Sequence, residues 1–371
     1  MNEENNKIDD QNSENLNPES KSESTEKDVL PVIENPDQSE SEMTADQPIE
    51  LPKTSEEVLF VMNTVEKVKQ ELKKVLVGQE RTVEMLIAAL LSNGHVLLEG
   101  VPGVAKTLLV KLTSKTLDCD FSRIQFTPDL MPSDIIGTSI LNMKTSEFEF
   151  RQGPIFSNFI LIDEINRAPA KTQAALFEVM EERQVTSDNH TYKMEYPLFV
   201  IATQNPVEQE GTYKLPEAQL DRFLFKLKLN YPSLEDETLI LERFKNDFAQ
   251  KKVEEVNKVL PVSDLKKCAD IVEQLHISSD LISYIAKLVN STRNNGDLYL
   301  GASPRASLAI MKSSKALAAM RGRAFVTPED IRDVAAPVLN HRILLSAEKE
   351  LEGKTTEDVI NELTAKIEVP R

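Results

Sequence analysis

The sequence predicts an α/β fold with a largely parallel sheet, followed by an all-helical region, in a chain of 371 residues. A glycine-rich turn separates an apolar run from a helical run within 95–113, as in a strand–loop–helix unit. Two more apolar runs, 159–165 and 198–203, end in polar residues, as strands buried on both faces of a parallel sheet do. From residue 232 onward, apolar residues recur at helical spacing.

Each predicted element follows from its hydrophobic period and its boundary residues. In the first part of the chain we expect helices at 55–75, 81–91, 108–113, 171–183 and 216–223. Strands are expected at 95–99, 121–126, 159–165, 198–203 and 224–229, with hairpins inside 135–150 and 184–196. A short helix should open at Gly153-Pro154, whereas 127–134 is rich in turn residues. The helical region should contain helices near 233–250, 263–274, 278–293, 303–320, 327–339 and 355–366.

Composition divides the chain further. The first fifty residues hold 15 acidic and 3 basic residues, so they carry −12 of the net charge of −18. Such a segment cannot bury enough apolar surface to offset its ordering entropy, which predicts a disordered acidic tail at 1–53. The predicted domains are then 54–231, an α/β domain, and 232–371, a helical domain. The role of the tail stays open between a solubilising leader and a docking segment.

Charge, cysteines and hydropathy limit the class of protein. The folded part is mildly acidic, which argues against a nucleic-acid groove because such grooves are usually basic. Cys119 and Cys268 stand alone, which favours a reducing compartment. The sequence has no window of about 18 apolar residues, so we expect no membrane span, and we see no secretory signal at its start. We therefore expect a cytoplasmic protein.

The stretch Gly100–Thr107, Gly-Val-Pro-Gly-Val-Ala-Lys-Thr, has the order of a phosphate-binding loop between a strand and a helix. Its backbone N–H groups can surround a polyphosphate at a helix N-terminus, with Lys106 on the terminal phosphates and Thr107 on Mg²⁺. Ala105 replaces the usual glycine, which is tolerable if its φ is negative. The alternative is a Gly-Pro turn followed by Lys-Thr by chance. The predicted nucleotide contacts in this stretch are Gly100, Pro102, Gly103, Val104, Ala105, Lys106, Thr107 and Leu108.

Polar residues at the ends of the next two buried strands suit hydrolysis. Asp163 can hold Mg²⁺ and Glu164 can act as the general base toward water. Asn205 ends the following strand and can orient the same water, although Asn before Pro206 is also common in turns.

Two arginines are candidates for stabilising charge on the transferred phosphate. Arg222, near the end of a short predicted helix, can reach the nucleotide of a neighbouring subunit. Arg305 opens a helix of the second domain and can fold over the γ-phosphate of its own chain. The alternatives are a local pair of Arg222 with Asp221 or Glu217, and a solvent-facing Arg305.

Together these motifs closely resemble the MoxR family of AAA+ ATPases, over about residues 77–333. The motifs that carry the resemblance are Gly78-Gln79, Glu99–Thr107, Phe126–Asp134, Gly153-Pro154, Asp163–Pro169, Ala202–Pro206, Leu215–Phe223 and Gly301–Arg305. The family's phosphate loop commonly has alanine before the lysine, as this chain does.

The resemblance implies roles for matching residues. Lys106 and Thr107 correspond to the Walker A motif, and Asp163 and Glu164 correspond to Walker B. Asn205 then corresponds to sensor 1, Arg222 to the arginine finger and Arg305 to sensor 2. Arg167 is a second candidate for the residue acting across a subunit interface, and Val77 and Gly78 are expected to line the adenine pocket.

The resemblance also implies an architecture and an activity. We expect a P-loop core with a five-stranded parallel sheet, a helix-2 insert at 135–150, a pre-sensor hairpin at 184–196 and a helical lid. The implied cofactors are ATP and Mg²⁺, and the implied assembly is a ring, as a homo-hexamer. The expected partners are protein clients and von Willebrand factor A-domain proteins, in chaperone-like remodelling. A nucleic-acid-dependent motor and a chelatase-type motor subunit remain alternatives.

Overall fold

The predicted sheet is present and its five strands are all parallel. The computed structural model describes residues 56–188, 190–206, 211–247 and 251–370, so the predicted acidic tail lies outside it. We call the described residues up to 231 the first half and those from 232 onward the second half. The strands of the first half are β1 (Val96–Gly100), β2 (Leu117–Asp118), β3 (Phe121–Gln125), β4 (Gly137–Asn142), β5 (Glu147–Gln152), β6 (Phe159–Asp163), β7 (Gln184–Ser187), β8 (His190–Lys193), β9 (Phe199–Gln204) and β10 (Phe225–Leu229).

The sheet order is β10-β1-β9-β6-β3, which places the carboxyl ends of these strands at one edge. Every residue of β6 is buried, and so are the first five of β9, as their apolar sequences predict. In the edge strand β3, Ile124 is buried and its neighbours are at least partly exposed. Because β3 has a neighbour on one side only, Arg123 and Gln125 can be polar there without a desolvation penalty.

The helices of this half are α1 (Glu56–Lys73), α2 (Glu80–Leu91), α3 (Lys106–Thr116), α4 (Pro132–Ile136), α5 (Ala170–Glu182) and α6 (Glu217–Leu220). Both predicted hairpins form, as β4–β5 and β7–β8. Three local predictions differ from the structure: 132–136 is helical, the helix at Gly153-Pro154 is a single 3₁₀ turn, and the helix predicted at 216–223 ends at Leu220. That last helix is short because the peptide groups beyond it bond to another part of the chain, described below.

Helix α5 runs from the carboxyl edge of the sheet back to its amino edge. The buried imidazole of His95, just before β1, marks this return: its Nε2 donates to Met180 O at 3.3 Å and its Nδ1 accepts from Val200 N at 3.1 Å. Burial lowers the pKa of His95 to about 4, so the ring is neutral at physiological pH. The end of α5 is thereby fixed beside the amino end of β1.

The second half is helical, as predicted. It contains α7 (Leu234–Phe244), α8 (Val262–Gln274), α9 (Ser279–Arg293), α10 (Pro304–Met320), α11 (Pro328–Leu339), α12 (Ala347–Leu351) and α13 (Thr356–Lys366), with the short strands β11 (Leu260–Pro261), β12 (Leu298–Leu300) and β13 (Leu344–Leu345). Helix α7 ends six residues earlier than predicted, and α12 and the short strands are additional. None of the helices in the described residues is long and apolar enough to cross a membrane.

The hydrophobic core continues across the predicted boundary at residue 231. Helices α1 and α2 precede the sheet in sequence, yet they pack against α8 and α10. One buried apolar cluster therefore includes residues from both halves, while a second lies between the sheet and α5. The position of the domain boundary stays a prediction.

A buried arginine joins the two halves. Arg342 follows α11, its side chain is 3% exposed, and its Nε pairs with Asp221 Oδ1 at 2.6 Å. The same guanidinium donates to the carbonyl oxygen of Phe223 at 2.6 Å, which also accepts from His341 Nε2 at 3.0 Å. These bonds hold the segment between α6 and β10, which explains why α6 does not continue.

Replacing Arg342 by methionine should therefore destabilise the protein strongly. The change removes the guanidinium partner of Asp221 and one of the donors to the carbonyl of Phe223, and breaking one side of a buried ion pair costs about 3–5 kcal/mol. The midpoint of denaturation in urea measures this loss. Arg332→Ala, at an exposed position of α11, is the control and should shift the midpoint little. Equal midpoints for the two variants would contradict the inferred role of Arg342.

Candidate active site

The predicted phosphate loop connects β1 to α3. A Cβ at Gly100 would come within 2.8 Å of Leu229 O, so the loop needs glycine where it leaves the sheet. Gly103 has φ +88°, in the left-handed region, with open space where a side chain would lie. The condition of a negative φ at Ala105 is not met, because its φ is +59°. The chain turns through this left-handed residue to begin α3, at a conformational cost on the order of 1 kcal/mol.

The two polar residues that open α3 point to the ends of different strands. Lys106 Nζ donates to the carbonyl oxygens of Gly100 and, at 3.3 Å, Gln204, so the ammonium lies between β1 and β9. Thr107 Oγ1 donates to Asp163 Oδ1 at 3.4 Å, which connects α3 to the end of β6. The structure thus brings the predicted phosphate-binding lysine and both predicted metal ligands to the carboxyl edge of the sheet.

The two oxygens of Asp163 have different surroundings. Oδ1 accepts from Thr107 and, at 3.2 Å, from Thr203 Oγ1. Oδ2 pairs with Arg123 Nε at 2.6 Å. Asp163 is only 5% exposed, and an unpaired carboxylate at such a position would be costly.

Glu164 has a left-handed backbone, with φ +56°, at the point where the chain leaves β6. Such strain in a non-glycine residue is concentrated at functional sites in proteins. Its backbone N–H donates to Thr203 Oγ1 at 3.0 Å. Its carboxylate Oε2 accepts from Gln125 Nε2 at 3.0 Å and pairs with Arg167 Nε at 3.0 Å. Asn205, directly after β9, is buried near the same edge.

This donor set fits a magnesium–nucleotide complex. Thr107 and Asp163 offer a hydroxyl and a carboxylate, the oxygen ligands that Mg²⁺ prefers. Among the described residues no group of three or more His, Cys, Asp or Glu side chains forms a metal cluster. Mg²⁺ in nucleotide sites commonly takes one or two protein ligands and completes its shell with phosphates and water.

A cavity of about 250 Å³ lies beside the phosphate loop. Val77 and Gly78, the predicted adenine contacts, line it together with Gly103, Ala105 and Asp236. Gly78 has φ +71°, and a Cβ there would come within 2.6 Å of the Asp236 carboxyl group at the start of α7. Glycine is therefore required where the first half meets the first helix of the second half.

The two candidate arginines converge on one carboxylate. Arg222 Nε pairs with Glu181 Oε2 at 3.1 Å, and its guanidinium lies over the Phe177 ring and donates to Phe177 O. Arg305 pairs with Glu181 Oε1 at 2.6 Å. Glu181 lies at the end of α5, so the sequence-predicted finger and sensor are neighbours although they come from different halves.

These arginines lie at the amino edge of the sheet. Arg222 is three residues before β10, whose first residue pairs with Val96, whereas the phosphate loop begins at Gly100, at the other end of β1. The two ends of β1 are about 13 Å apart at roughly 3.3 Å per residue. The structure therefore places Arg305 beside Glu181 and away from the phosphate loop of its own chain, and its role toward the γ-phosphate stays a prediction.

Comparison with known proteins identifies the family. Residues 95–225 match the model of the ATPase family associated with various cellular activities, and residues 290–363 match that of the AAA lid domain. The chain is 44% identical over 329 residues to the protein named Chaperone MoxR1 of Mycobacterium tuberculosis, covering 86% of each chain. The chain belongs to the MoxR family of AAA+ ATPases. It has the P-loop AAA+ fold with a helical lid.

Two further matches cover most of their own chains. The uncharacterised protein YeaC of Bacillus subtilis is 46% identical over 301 residues, which is 81% of this chain and 93% of YeaC. A crystal structure of a provisionally assigned ATPase from Cytophaga hutchinsonii superposes with a TM-score of 0.78 at 44% identity, covering 85% of this chain and 98% of that one.

Three residues of this MoxR site are absent from the sequence-based prediction: Arg123, Gln125 and Thr203. Thr203 contacts both Asp163 and Glu164, and Arg123 and Gln125 each contact one of the two carboxylates. Position at the end of a strand was an available signal for Gln125 and Thr203. For Arg123 the sequence has no such signal, because its contact depends on β3 lying next to β6.

Proposed function

We propose that this MoxR-family ATPase hydrolyses ATP with Mg²⁺ in a ring of identical subunits, and that it remodels protein clients. The observation that carries the hydrolytic part is the convergence of Lys106, Thr107, Asp163 and Glu164 at one edge of the sheet, with Asn205 nearby. The net reaction converts ATP and water to ADP and phosphate.

In this proposal the loop amides and Lys106 bind the phosphates, and Val77 and Gly78 contact the adenine. Thr107 and Asp163 would hold Mg²⁺, which on binding neutralises phosphate charge and supplies a Lewis acid. Lys106 leaves the carbonyl oxygens that it now contacts and pairs with phosphate oxygens instead.

Glu164 is the proposed general base, because its carboxylate is partly exposed at the same edge as the phosphate loop. It accepts a proton from the water that attacks the γ-phosphate, and Asn205 orients that water. In this structure Gln125 and Arg167 contact Glu164 Oε2, and Oε1 is the oxygen proposed to accept the proton from water.

We assign to Arg222 and Arg305 together the role of stabilising the transferred phosphate on the nucleotide of a neighbouring subunit. Their position at the amino edge, away from the phosphate loop of the same chain, supports contact with a neighbour's nucleotide. Arg167 is a weaker candidate because it lies beside Glu164, at the carboxyl edge with the phosphate loop of its own chain. A homo-hexamer is the proposed ring.

The client is proposed to be a protein, with von Willebrand factor A-domain proteins as partners. A relative at 44% identity is named a chaperone. The β4–β5 hairpin also supports an apolar partner, because it exposes the cross-strand pair Leu141 and Phe148, at 43% and 75%, and Met143 at 85%. Residues 137–152 hold two basic and two acidic residues, without the positive charge that a nucleic-acid motor would need.

The two cysteines support the cytoplasm as the place of action. Cys119 and Cys268 are free, and burial raises the pKa of each to about 11, so both remain thiols at neutral pH.

Replacing Glu164 by glutamine should lower ATP turnover about 10²–10⁴-fold, because the amide cannot accept the proton from water. Binding of a fluorescent ATP analogue should stay within about threefold of wild type, since the phosphate contacts remain. Phosphate release and fluorescence titration measure the two quantities. Glu350→Gln, at an exposed position of α12, is the matched control. Unchanged turnover in Glu164→Gln would remove this residue as the base.

Arg222→Ala and Arg305→Ala should each lower ATP turnover, by about 10³-fold if the residue alone stabilises the transferred phosphate. Mixing either variant with Glu164→Gln subunits should restore turnover. In such a mixed ring the arginine variant retains its base and receives arginines from its neighbour. Turnover of the mixture, compared with either variant alone, measures the rescue. Mixing with the double variant Glu164→Gln/Arg222→Ala is the control for Arg222.

No rescue of either variant would show that the arginines act within their own chain. Rescue of Arg167→Ala instead would transfer the role to Arg167.

The Glu164→Gln protein, held in its ATP-bound form, should capture proteins that contain a von Willebrand factor A domain. Phe148→Ser in this background should reduce capture severalfold, because it removes an exposed apolar contact from the hairpin. Leu351→Ser is the matched control, since Leu351 is 90% exposed on α12. Mass spectrometry of the captured material is the measurement. Recovery of nucleic acid alone would overturn the protein-client proposal in favour of a nucleic-acid motor.

A further inference from the structure

Arg123 contacts the metal side of the site from the outermost strand of the sheet. Its backbone is in register with Leu161 of β6, two residues before Asp163. From there its side chain reaches past the end of β6, and its Nε lies 2.6 Å from Asp163 Oδ2. The Arg123 side chain is 53% exposed, whereas that of Asp163 is 7% exposed.

The two carboxylate oxygens of Asp163 have different partners, and only one of them faces the proposed Mg²⁺ ligand Thr107. Oδ1 is the oxygen near Thr107, the other proposed Mg²⁺ ligand, and it is also bonded to Thr203. Oδ2 is bonded to Arg123. The guanidinium therefore does not lie between the two proposed metal ligands, and it holds the carboxylate by the oxygen that faces away from Thr107.

This arrangement has a chemical consequence. A carboxylate held at one oxygen by a charge-assisted hydrogen bond keeps its other oxygen in a fixed direction. Partners that orient metal ligands in this way typically contribute 10–100-fold to metal affinity. Removal of Arg123 would leave this buried carboxylate held at Oδ1 alone, by the hydroxyl groups of Thr107 and Thr203.

We propose that Arg123 is a positioning residue for Mg²⁺ binding: it orients Asp163 so that Oδ1 faces Thr107. This inference rests on the proposed binding of Mg²⁺ and ATP at this site. A rival interpretation treats the guanidinium as a substitute cation that Mg²⁺ displaces. The two differ in sign, because removing a competitor tightens Mg²⁺ binding and removing a positioning residue weakens it.

The test measures binding of a fluorescent, non-hydrolysable ATP analogue to the full chain, first in EDTA and then during titration with Mg²⁺. In Arg123→Ala the affinity in EDTA should stay within about threefold of wild type, which also shows that the variant is folded. The Mg²⁺ concentration that gives half of the maximal increase in analogue binding should rise about 10-fold or more. Arg123→Lys, which keeps the charge but not the planar guanidinium, should give an intermediate shift.

Gln125→Ala is the matched control. Gln125 lies on the same face of β3, but it contacts Glu164 and not Asp163, so its loss should leave the Mg²⁺ midpoint within about twofold of wild type. A second measurement uses Mn²⁺ in place of Mg²⁺. The decrease in its electron paramagnetic resonance signal on binding measures metal binding independently of nucleotide fluorescence.

The outcomes separate this inference from the proposed function. A wild-type chain without metal-dependent nucleotide binding would overturn the proposed function and the role of Arg123 with it. If wild type responds to Mg²⁺ and Arg123→Ala has the same midpoint, Arg123 has no positioning role. A lower midpoint in Arg123→Ala would make Arg123 a competitor of Mg²⁺. An equal rise in Arg123→Ala and Gln125→Ala would indicate a general disturbance of β3.

Discussion

The parallel pairing of five strands is the constraint on which the rest of the site depends. Because β1, β3, β6 and β9 run in the same direction and in register, Gly100, Gln125, Asp163 and Gln204 end their strands at one edge. The strands β6 and β9 are buried almost throughout, so a shift in their register would pull the polar residues that follow them into the apolar core. Burial therefore fixes the register, and the register determines which polar groups meet.

The same pairing separates two sets of functional candidates. Groups that contact phosphate and metal in the proposed mechanism lie at the carboxyl edge, and Arg222 and Arg305 lie at the amino edge around Glu181. A single chain of this shape cannot bring both sets to one nucleotide without large rearrangement. The proposed ring would solve this geometric problem, because in it the amino edge of one subunit could face the carboxyl edge of the next.

The helical half determines where the amino-edge arginines lie. Arg342 and His341 hold the segment that carries Arg222, and Ser303, two residues before Arg305, donates to Asp221 at 3.0 Å. A movement of the helical half would therefore displace both arginines together. In the proposed ring, this connection would transmit the nucleotide state of one subunit to the position of groups acting on the next.

Local patterns in the sequence determined most helices and strands of the fold and the contiguous motifs of the site. Lys106, Thr107, Asp163 and Glu164 could be predicted because each lies beside a loop or at the end of an apolar run, and such signals are local. The tertiary structure alone decided the contact of Arg123 with Asp163, since it depends on which strand lies beside β6. It also decided the left-handed conformation of Ala105 and the pairing of Arg305 with Glu181. Sheet order and the packing of the two halves arise from contacts between distant residues, which no local pattern encodes.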